Sequence, residues 1–391
     1  MFKKYFSGLS KNTFLLALSS LFADISTEML YPILPIYLTQ VLHTNGSIVG
    51  IIEGIAIATQ NIVQGFSGWL SDKLRKRKKI ALVGYTLAAI SKHLTGFAGT
   101  WEGVLGARFL DRFGTGTRSA PRDALIAESA DAKHRGKAFG LEGVGDNLGA
   151  FLGPLIGLLL ISWFVVPIRT VFYFAFIPGV LAIIMIFLVK EKKRLEEPHK
   201  KVVIHFKQFP TSYWRYIFGI AIFGLGNSAG AFLILQTRGV GISLAFTILI
   251  YAFYNLIAAL SSYPAGVLSD RFGRKILMLS CFFIFIAVYL GFWSSSNLYI
   301  IGFLFLLYGV YQGIFRAVGK TFATDFVEPH LRASSIGWYS TTVGLSGLIA
   351  SIVAGFLWDK VSHPTVFIYG VFFATLGFFA LLFLVPKNVK Q

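Results

Sequence analysis

The stretch "RFLDRFGTGTRSAPRD", Arg108 to Asp123, decides how this chain folds. It carries six charges in sixteen residues, within a chain of 391 residues that is 55% hydrophobic and only 14% charged. Such a composition, with a mean hydropathy of +0.68, belongs to polytopic membrane proteins. The charged stretch is therefore either an exposed loop or a charged helix inside a bilayer.

Counting spans makes the choice. A hydrocarbon core about 30 Å thick takes about 20 helical residues. Apolar runs of that length begin near Thr13, Ser47, Ile80, Phe139, Ile168, Trp214, Ser243, Ile276, Leu298, Ser334 and Thr365. Lys3 and Lys4 precede the first run as in a signal peptide, but the run continues into Asp24 and Glu28 and reads as a span. A twelfth span has to be Trp101–Ile126, which contains the quoted stretch. If it crosses the membrane, "KLRKRKK" (Lys73–Lys79), "KHRGK" (Lys133–Lys137), "KEKKRLEEPHKK" (Lys190–Lys201) and "RFGRK" (Arg271–Lys275) all face the cytoplasm. About 25 Lys and Arg then lie inside and about 3 outside (Arg169, Arg238, Lys360), the asymmetry expected of cytoplasmic loops. If it is a loop, every later segment inverts and the two basic loops after it move outside. The same loops account for the net charge of +18 without nucleic acid. The single cysteine, Cys281, excludes an intrachain disulfide.

A charge at the bilayer centre costs about 2.5–3.5 kcal/mol on insertion scales. Arg108, Asp111 and Arg112 are spaced i, i+3, i+4, so they share one helical face and can pair there. That face has to look at other helices or a watery cavity, where intramembrane ionisable groups mark function.

The chain also repeats itself. "GWLSDKLRKRKK" (Gly68–Lys79) follows the second span and "GVLSDRFGRK" (Gly266–Lys275) the eighth, at an offset of roughly 198 residues, half the chain. "HRGKAFG" (His134–Gly140) aligns with "LRASSIG" (Leu331–Gly337) at nearly the same offset. The expected fold is an all-α polytopic membrane protein of twelve transmembrane helices in two pseudo-equivalent six-helix bundles. The bundles cover residues 1–189 and 214–391, with a charged cytoplasmic linker at 190–213 and both termini cytoplasmic. Parallel repeats of this kind hold substrate between the halves near the midplane.

The repeated "G-x-L-S-D-x-x-x-x-x-K" resembles motif A of the major facilitator superfamily. The second copy is nearly complete, and the first departs from it at Arg75, where the family usually has Gly. The resemblance implies a loop that clamps helix ends through Gly68, Asp72 and Arg77 in one half, and Gly266, Asp270 and Arg274 in the other. "GVGDNLGAFLGPLIG" (Gly143–Gly157) is similar to the family's antiporter motif C, with Gly149, Gly153, Pro154 and Gly157 as its hinge. Small residues four apart let helices approach closely, and a proline kinks them. "EMLYPILPIYL" (Glu28–Leu38) resembles motif D. The family's fourth-helix pattern is kept at Arg108 only, since Asp111 and Arg112 replace its Gln and Gly. Gly114 and Gly116 form no dinucleotide fingerprint, because no strand precedes them and the spacing fails; no Walker A sequence occurs.

Proton coupling needs a carboxylate that responds to its surroundings. Asp24 and Glu28, i and i+4 on the first helix, are the leading candidates, with Arg108, Asp111 and Arg112 as switching partners. The substrate-cavity candidates are Glu53, Lys92, His93, Asn227, Tyr251, Tyr254, Asn255, Arg316 and Lys320. Arg112, Arg118 and Arg122 add a basic bias that suits an anionic or zwitterionic substrate at least as well as a lipophilic cation. The resemblance then implies a proton-coupled secondary transporter of a small organic molecule, working by alternating access in the antiport, efflux direction. Two alternatives stay open: a symporter importing an organic anion, and a non-transporting receptor or scaffold on the same fold. No catalytic triad, cofactor site or metal cluster is expected, and no enzyme activity. The partners are substrate, protons and lipid, for a monomer. The basic loops and the lack of a sorting extension suit a bacterial inner membrane.

Overall fold

The computed structural model describes residues 8–74, 76–131, 134–191, 208–328 and 331–386. The greater part of the 190–213 linker lies outside the described residues, as does the Asp72 side chain. Among the described residues there is no strand. Twelve long helices follow one another: α1 (Lys11–Glu28), α2 (Gly46–Leu74), α3 (Arg77–Phe97), α4 (Trp101–Ser129), α5 (Arg135–Ser162), α6 (Ile168–Leu188), α7 (Thr211–Gly226), α8 (Leu244–Phe272), α9 (Arg274–Ser294), α10 (Leu298–Asp325), α11 (Arg332–Lys360) and α12 (Thr365–Leu384). Pro32 and Pro35, which lack a backbone donor, lie where α1 gives way to a turn, a short helix (Leu34–Ile36) and a π-helical turn (Tyr37–Val41). Beyond α7 the helix resumes as Ala231–Gly239.

The quoted stretch is the middle of α4. This helix runs unbroken for 29 residues, about 43 Å at 1.5 Å per residue, enough to cross a hydrocarbon core of about 30 Å. Its first turn is capped by Thr100, whose hydroxyl accepts the Gly103 N–H. Pro121 sits inside it, with its ring buried. Asp111 is 3% exposed and Arg108 is likewise buried. The charges are interior to a helix. Among the described residues nine helices are long and apolar enough to cross a membrane. α1, α3 and α4 are not in that group, because they carry the polar and charged side chains described below.

Two compact units share these helices. One comprises Met1–Tyr37 with Ile62–Glu197, the other Leu38–Asn61 with Pro198–Gln391. The first part of α2 thus packs within the second unit and the rest within the first.

Glycine contacts set the first unit. A Cβ on Gly149 would stand 2.5 Å from the Leu21 carbonyl oxygen and 2.9 Å from the Asp24 Cβ. On Gly145 and Gly153 it would meet the carbonyl oxygens of Ala17 and Ile25 at 2.5 and 2.8 Å. Backbone cannot yield at those distances, so this ridge of α5 lies directly on α1. Gly84 and Gly114 bring α3 and α4 together in the same way: a Cβ on Gly84 would be 2.6 Å from the Gly114 carbonyl oxygen. Gly114 is a packing residue, in keeping with its failure to form a nucleotide loop.

In the second unit α2 starts at a carboxylate. Asp359, near the end of α11, accepts the Gly46 N–H at 2.8 Å and the Ser47 N–H at 2.7 Å, and the Ser47 hydroxyl donates to it as well. Free N–H groups and the positive end of the helix dipole both favour an anion there. Further along, Gly50 and Gly54 rest on the Ser351 and Leu348 carbonyl oxygens. The second unit fills its interior with rings, such as Phe223 stacked on Phe282 at 3.8 Å and Phe285 on Tyr289 at 4.0 Å.

The sequence repeat reappears as a repeated ion pair. Arg77 at the start of α3 meets Glu128 at the end of α4 at 2.5 Å. Arg274 at the start of α9 meets Asp325 at the end of α10 and also reaches Asp270 at 3.6 Å. Both partners are displaced by the same length of sequence, about half the chain.

Two consequences are measurable as melting temperatures of the purified protein. Gly149→Ala forces a Cβ into the α1 backbone and is expected to cost about 1–3 kcal/mol. Gly143→Ala, on the same helix with nothing within 4 Å, should be neutral or slightly stabilising. Equal effects would mean that the glycine ridge does not set the packing. Asp359→Ala removes the α2 cap and should lower stability by about 0.5–2 kcal/mol; an unchanged melting temperature would rule that cap out as a stabilising contact.

Candidate functional site

On α4, Arg108, Asp111, Arg118 and Arg122 recur at helical spacings that keep them on one face. The glycine contacts press α3 against that face, and α1 and α5 lie alongside. The result is three polar rungs.

The first rung centres on Asp111. Its carboxylate accepts from Lys92 of α3 at 2.5 Å and from Arg108 at 3.1 Å, with Arg112 at 3.2 Å. Lys92 also donates to the Thr27 hydroxyl of α1 at 3.2 Å. The Arg108 guanidinium lies 5.6 Å from the Tyr31 ring centroid, a cation–π distance. One acid is thus surrounded by three cations, all on short tethers.

The second rung joins Asp24 of α1 to Arg118 of α4 at 3.6 Å. Arg118 lies over the Tyr85 ring of α3, 4.6 Å from its centroid. Asp146 lies one turn before Gly149 on α5, and a Cβ on Gly149 would stand 2.9 Å from the Asp24 Cβ. The third rung runs through Arg122, which donates to the Ser20 hydroxyl of α1 at 3.0 Å and pairs with Glu142 of α5 at 3.1 Å. Ser20 in turn donates to Glu142 at 2.9 Å. Asp123 at 2.9 Å and Asp146 at 3.9 Å complete it. From Asp111 to Arg122 the ladder spans about 16 Å of helix at 1.5 Å per residue.

The rungs separate residues that share a neighbourhood in sequence. Asp24 and Asp111 belong to different rungs, and the cation facing Asp24 is Arg118. Glu28 ends α1, four residues beyond Asp24. His93, next to Lys92 in sequence, turns elsewhere: its ring packs on Phe97, Tyr173 and Phe176 at 4.9–5.2 Å. Its Nδ1 has no hydrogen-bond partner among the described residues. Motif C's Gly149, Gly153 and Gly157 face α1 and hold Asp24 in place, with Pro154 buried between them.

The other candidates lie in the second unit. Glu53 is buried on α2. Tyr251, Tyr254 and Asn255 are buried on α8, and Tyr254 stacks on Tyr308 at 5.4 Å. Asn227 closes α7, and Arg316 and Lys320 are exposed on α10. Gly266 has nothing within 4 Å of an added Cβ, whereas a Cβ on Gly68 would stand 3.2 Å from the Ala120 Cβ. Among the described residues of the second unit only Glu53 and Lys275 are buried charged side chains, and Lys275 caps the end of α12 through the Leu382 and Val385 carbonyls.

Arg118, Arg122, Glu142 and Asp146 are thus members of the ladder that the leading candidates left out. Two signals point to them: the helical register of α4, which puts 118 and 122 in line with 108 and 111, and the glycine register of α5, which puts 142 and 146 about two turns and one turn before Gly149.

The fold and the chain's relatives agree. Residues 16–237 and 216–391 match the family model described as the Major Facilitator Superfamily. An MFS-type transporter of Methanocaldococcus jannaschii is 34% identical over 383 residues, covering 96% of this chain and 95% of that protein. The quinolone resistance protein NorA of Staphylococcus aureus is 29% identical over 211 residues, 52% of this chain and 53% of that one. Among solved structures, a D323A mutant of the nucleoside transporter NupG superposes with a TM-score of 0.78 at 13% identity, covering 96% of this chain and all of that one. With its charged α4 buried inside an all-helical membrane fold and the superfamily's pattern matched in both halves, this chain is a membrane transporter of the major facilitator superfamily.

Proposed function

We propose that the protein is a proton-coupled secondary transporter that exports a small organic molecule by alternating access, in exchange for protons. In this reading twelve spans form two pseudo-equivalent bundles over residues 1–189 and 214–391, with both ends in the cytoplasm and the protein, a monomer, in a bacterial inner membrane. The observation that carries the proposal is the second rung. Asp24 faces Arg118 at 3.6 Å, and Asp146 lies one turn before Gly149, which packs on Asp24.

A buried carboxyl that faces one cation can pair with it when ionised or carry a proton instead. Asp24, with Asp146 on the helix packed against it, therefore makes a place where one proton can be taken up or given away. When Asp24 is ionised it pairs with Arg118; when it carries the proton, that pair is lost and Arg118 is released. This couples a protonation event on α1 and α5 to the position of a charged side chain on α4. The first and third rungs hold α4 from either side, so a change at the second is passed along one rigid helix. Tight α1–α5 and α3–α4 packing makes such a change discrete, since close-packed interfaces do not deform smoothly. Kinship with a quinolone resistance protein leans the direction toward export. The basic bias of α4 favours a second reading, import of an organic anion with protons, and the direction of substrate movement under an imposed pH gradient separates the two.

Asp24→Asn removes the proton carrier and keeps the shape. In proteoliposomes with an imposed pH gradient, proton-driven flux of a transported compound should fall at least tenfold, while gradient-free exchange of the same compound persists. Wild-type gradient-driven flux in this variant would remove Asp24 from the coupling site.

A further inference from the structure

Arg118 does more in this structure than face Asp24. Its backbone is fixed from behind, because a Cβ on Gly84 would stand 2.6 Å from the Arg118 nitrogen. Its guanidinium is laid across Tyr85, and the residue is only 4% exposed. A guanidinium has five N–H donors in a fixed fork. Here Nη2 reaches Asp24 at 3.6 Å, too far for a good hydrogen bond. Nε and Nη1, both buried, have no hydrogen-bond partner among the described residues. Leaving buried donors of a charged group unmet is costly.

A small cavity adjoins Arg118, bounded by α1, α3, α4 and α6. Arg118, Lys92 and Tyr85 line it with Ser26 and Thr27, and its remaining walls are alanines and Gly179. It accommodates a group of about one water's size, the size of a carboxylate oxygen. Its polar lining is biased toward donors. Lys92 uses two of its three N–H bonds on Asp111 and Thr27. Ser26 spends its hydroxyl proton on the Ala175 carbonyl, and Thr27 accepts from Lys92. Two cations on the cavity wall disfavour a cationic occupant. A water would supply lone pairs but no charge, whereas a carboxylate oxygen supplies both to an unmet Arg118 donor.

We propose that Arg118, together with Lys92, forms a subsite in the first unit that binds the carboxylate group of an organic acid. The idea that this acid is the transported molecule rests on the transport reading above; the binding itself does not. The cavity takes the head of the ligand, and the side chains beside Arg118 and Lys92 in its wall are mostly small.

The test uses purified full-length protein in lipid nanodiscs, with no gradient, at fixed ionic strength. Sodium benzoate and sodium acetate are titrated against sodium chloride and against benzamide, the neutral counterpart of benzoate, with melting temperature and calorimetric affinity as readouts. Benzoate and acetate are expected to stabilise the wild type saturably, and benzamide and chloride to do so much less. Arg118→Gln should weaken benzoate binding at least tenfold. Arg118→Lys keeps the charge facing Asp24 and so guards against a simple folding failure; it should weaken binding several-fold because it loses the fork. Absence of saturable carboxylate binding in the wild type overturns the assignment. So does unchanged affinity in Arg118→Lys, equal binding of chloride, which indicates a halide site, or equal binding of benzamide, which indicates a neutral pocket. Benzoate binding that depends on Arg118, in a protein whose flux ignores a pH gradient, would leave this subsite standing and remove proton antiport. Gradient-driven flux without any carboxylate binding would do the reverse.

Discussion

A carboxylate buried in a bilayer needs cations within reach, and Asp111 has three, Lys92, Arg108 and Arg112, at 2.5–3.2 Å. That cluster makes α4 possible as a membrane helix. None of its members is tolerable against lipid, and an ion pair in a low-dielectric interior holds only when geometry is good and the remaining donors are met. The close packing of α3 on α4 supplies the geometry. Gly84 and Gly114 remove the two side chains that would hold the helices apart, and Lys92, two turns along α3 from Gly84, is thereby delivered to Asp111. If α3 and α4 were spaced like ordinary leucine-lined helices, Lys92 would fall short and Asp111 would face two guanidiniums from its own helix alone.

The same logic extends along the ladder and explains the division of labour between the units. In the first, glycines on α3, α4 and α5 draw backbones together so that short and long polar side chains can meet: Thr27, Asp24 and Ser20 on α1 answer Lys92, Arg118 and Arg122. In the second, glycines also draw backbones together, as Gly309 does on the Tyr254 carbonyl, and Gly370 makes room for the Tyr289 ring; rings such as Phe223, Phe282 and Tyr289 fill the space without ions. An interior of rings is stiff and nearly indifferent to protons; an interior of exchangeable ion pairs responds to them. The first unit thus holds the buried groups that can exchange protons, and the buried interior of the second is largely neutral.

Much of the fold was legible in the sequence, because it follows from quantities that a single chain displays. The apolar runs set the helices, and the distribution of Lys and Arg turned Arg108–Asp123 from a loop into a span. The half-chain repeat was visible in Gly68–Lys79 and Gly266–Lys275. The site was legible by type and only partly by partner. Asp24, Lys92, Asp111 and Arg112 stand out as charges in apolar surroundings, but which acid meets which cation depends on the rotation of each helix about its axis. That rotation is set by small residues. Gly149 and Gly153 direct α5 onto Asp24, and so bring Asp146 and Glu142 into the ladder. His93 illustrates the converse: one residue from Lys92, it is turned about 100° around α3 and ends among Phe97, Tyr173 and Phe176.

The repeated ion pair shows what the repeat conserves. The two motif A copies differ in wording, with Arg75 in one and Gly273 in the other, and Gly273 adopts a positive φ of 95° that favours glycine. Yet Arg77–Glu128 and Arg274–Asp325 join equivalent helix ends in the two halves. Each ties the start of one helix to the end of the next, the arrangement in which a cation at one end and an acid at the other close a helical hairpin. The acid also sits at the end of its helix where the dipole is unfavourable to it, so the arginine must offset both that field and the carboxylate's lost water. A loop can change its turn residue without disturbing this, because the clamp acts between helix ends and not through the loop. Sequence identity within the motif is therefore a weaker guide to its mechanical role than the position of the two charges that it brings together.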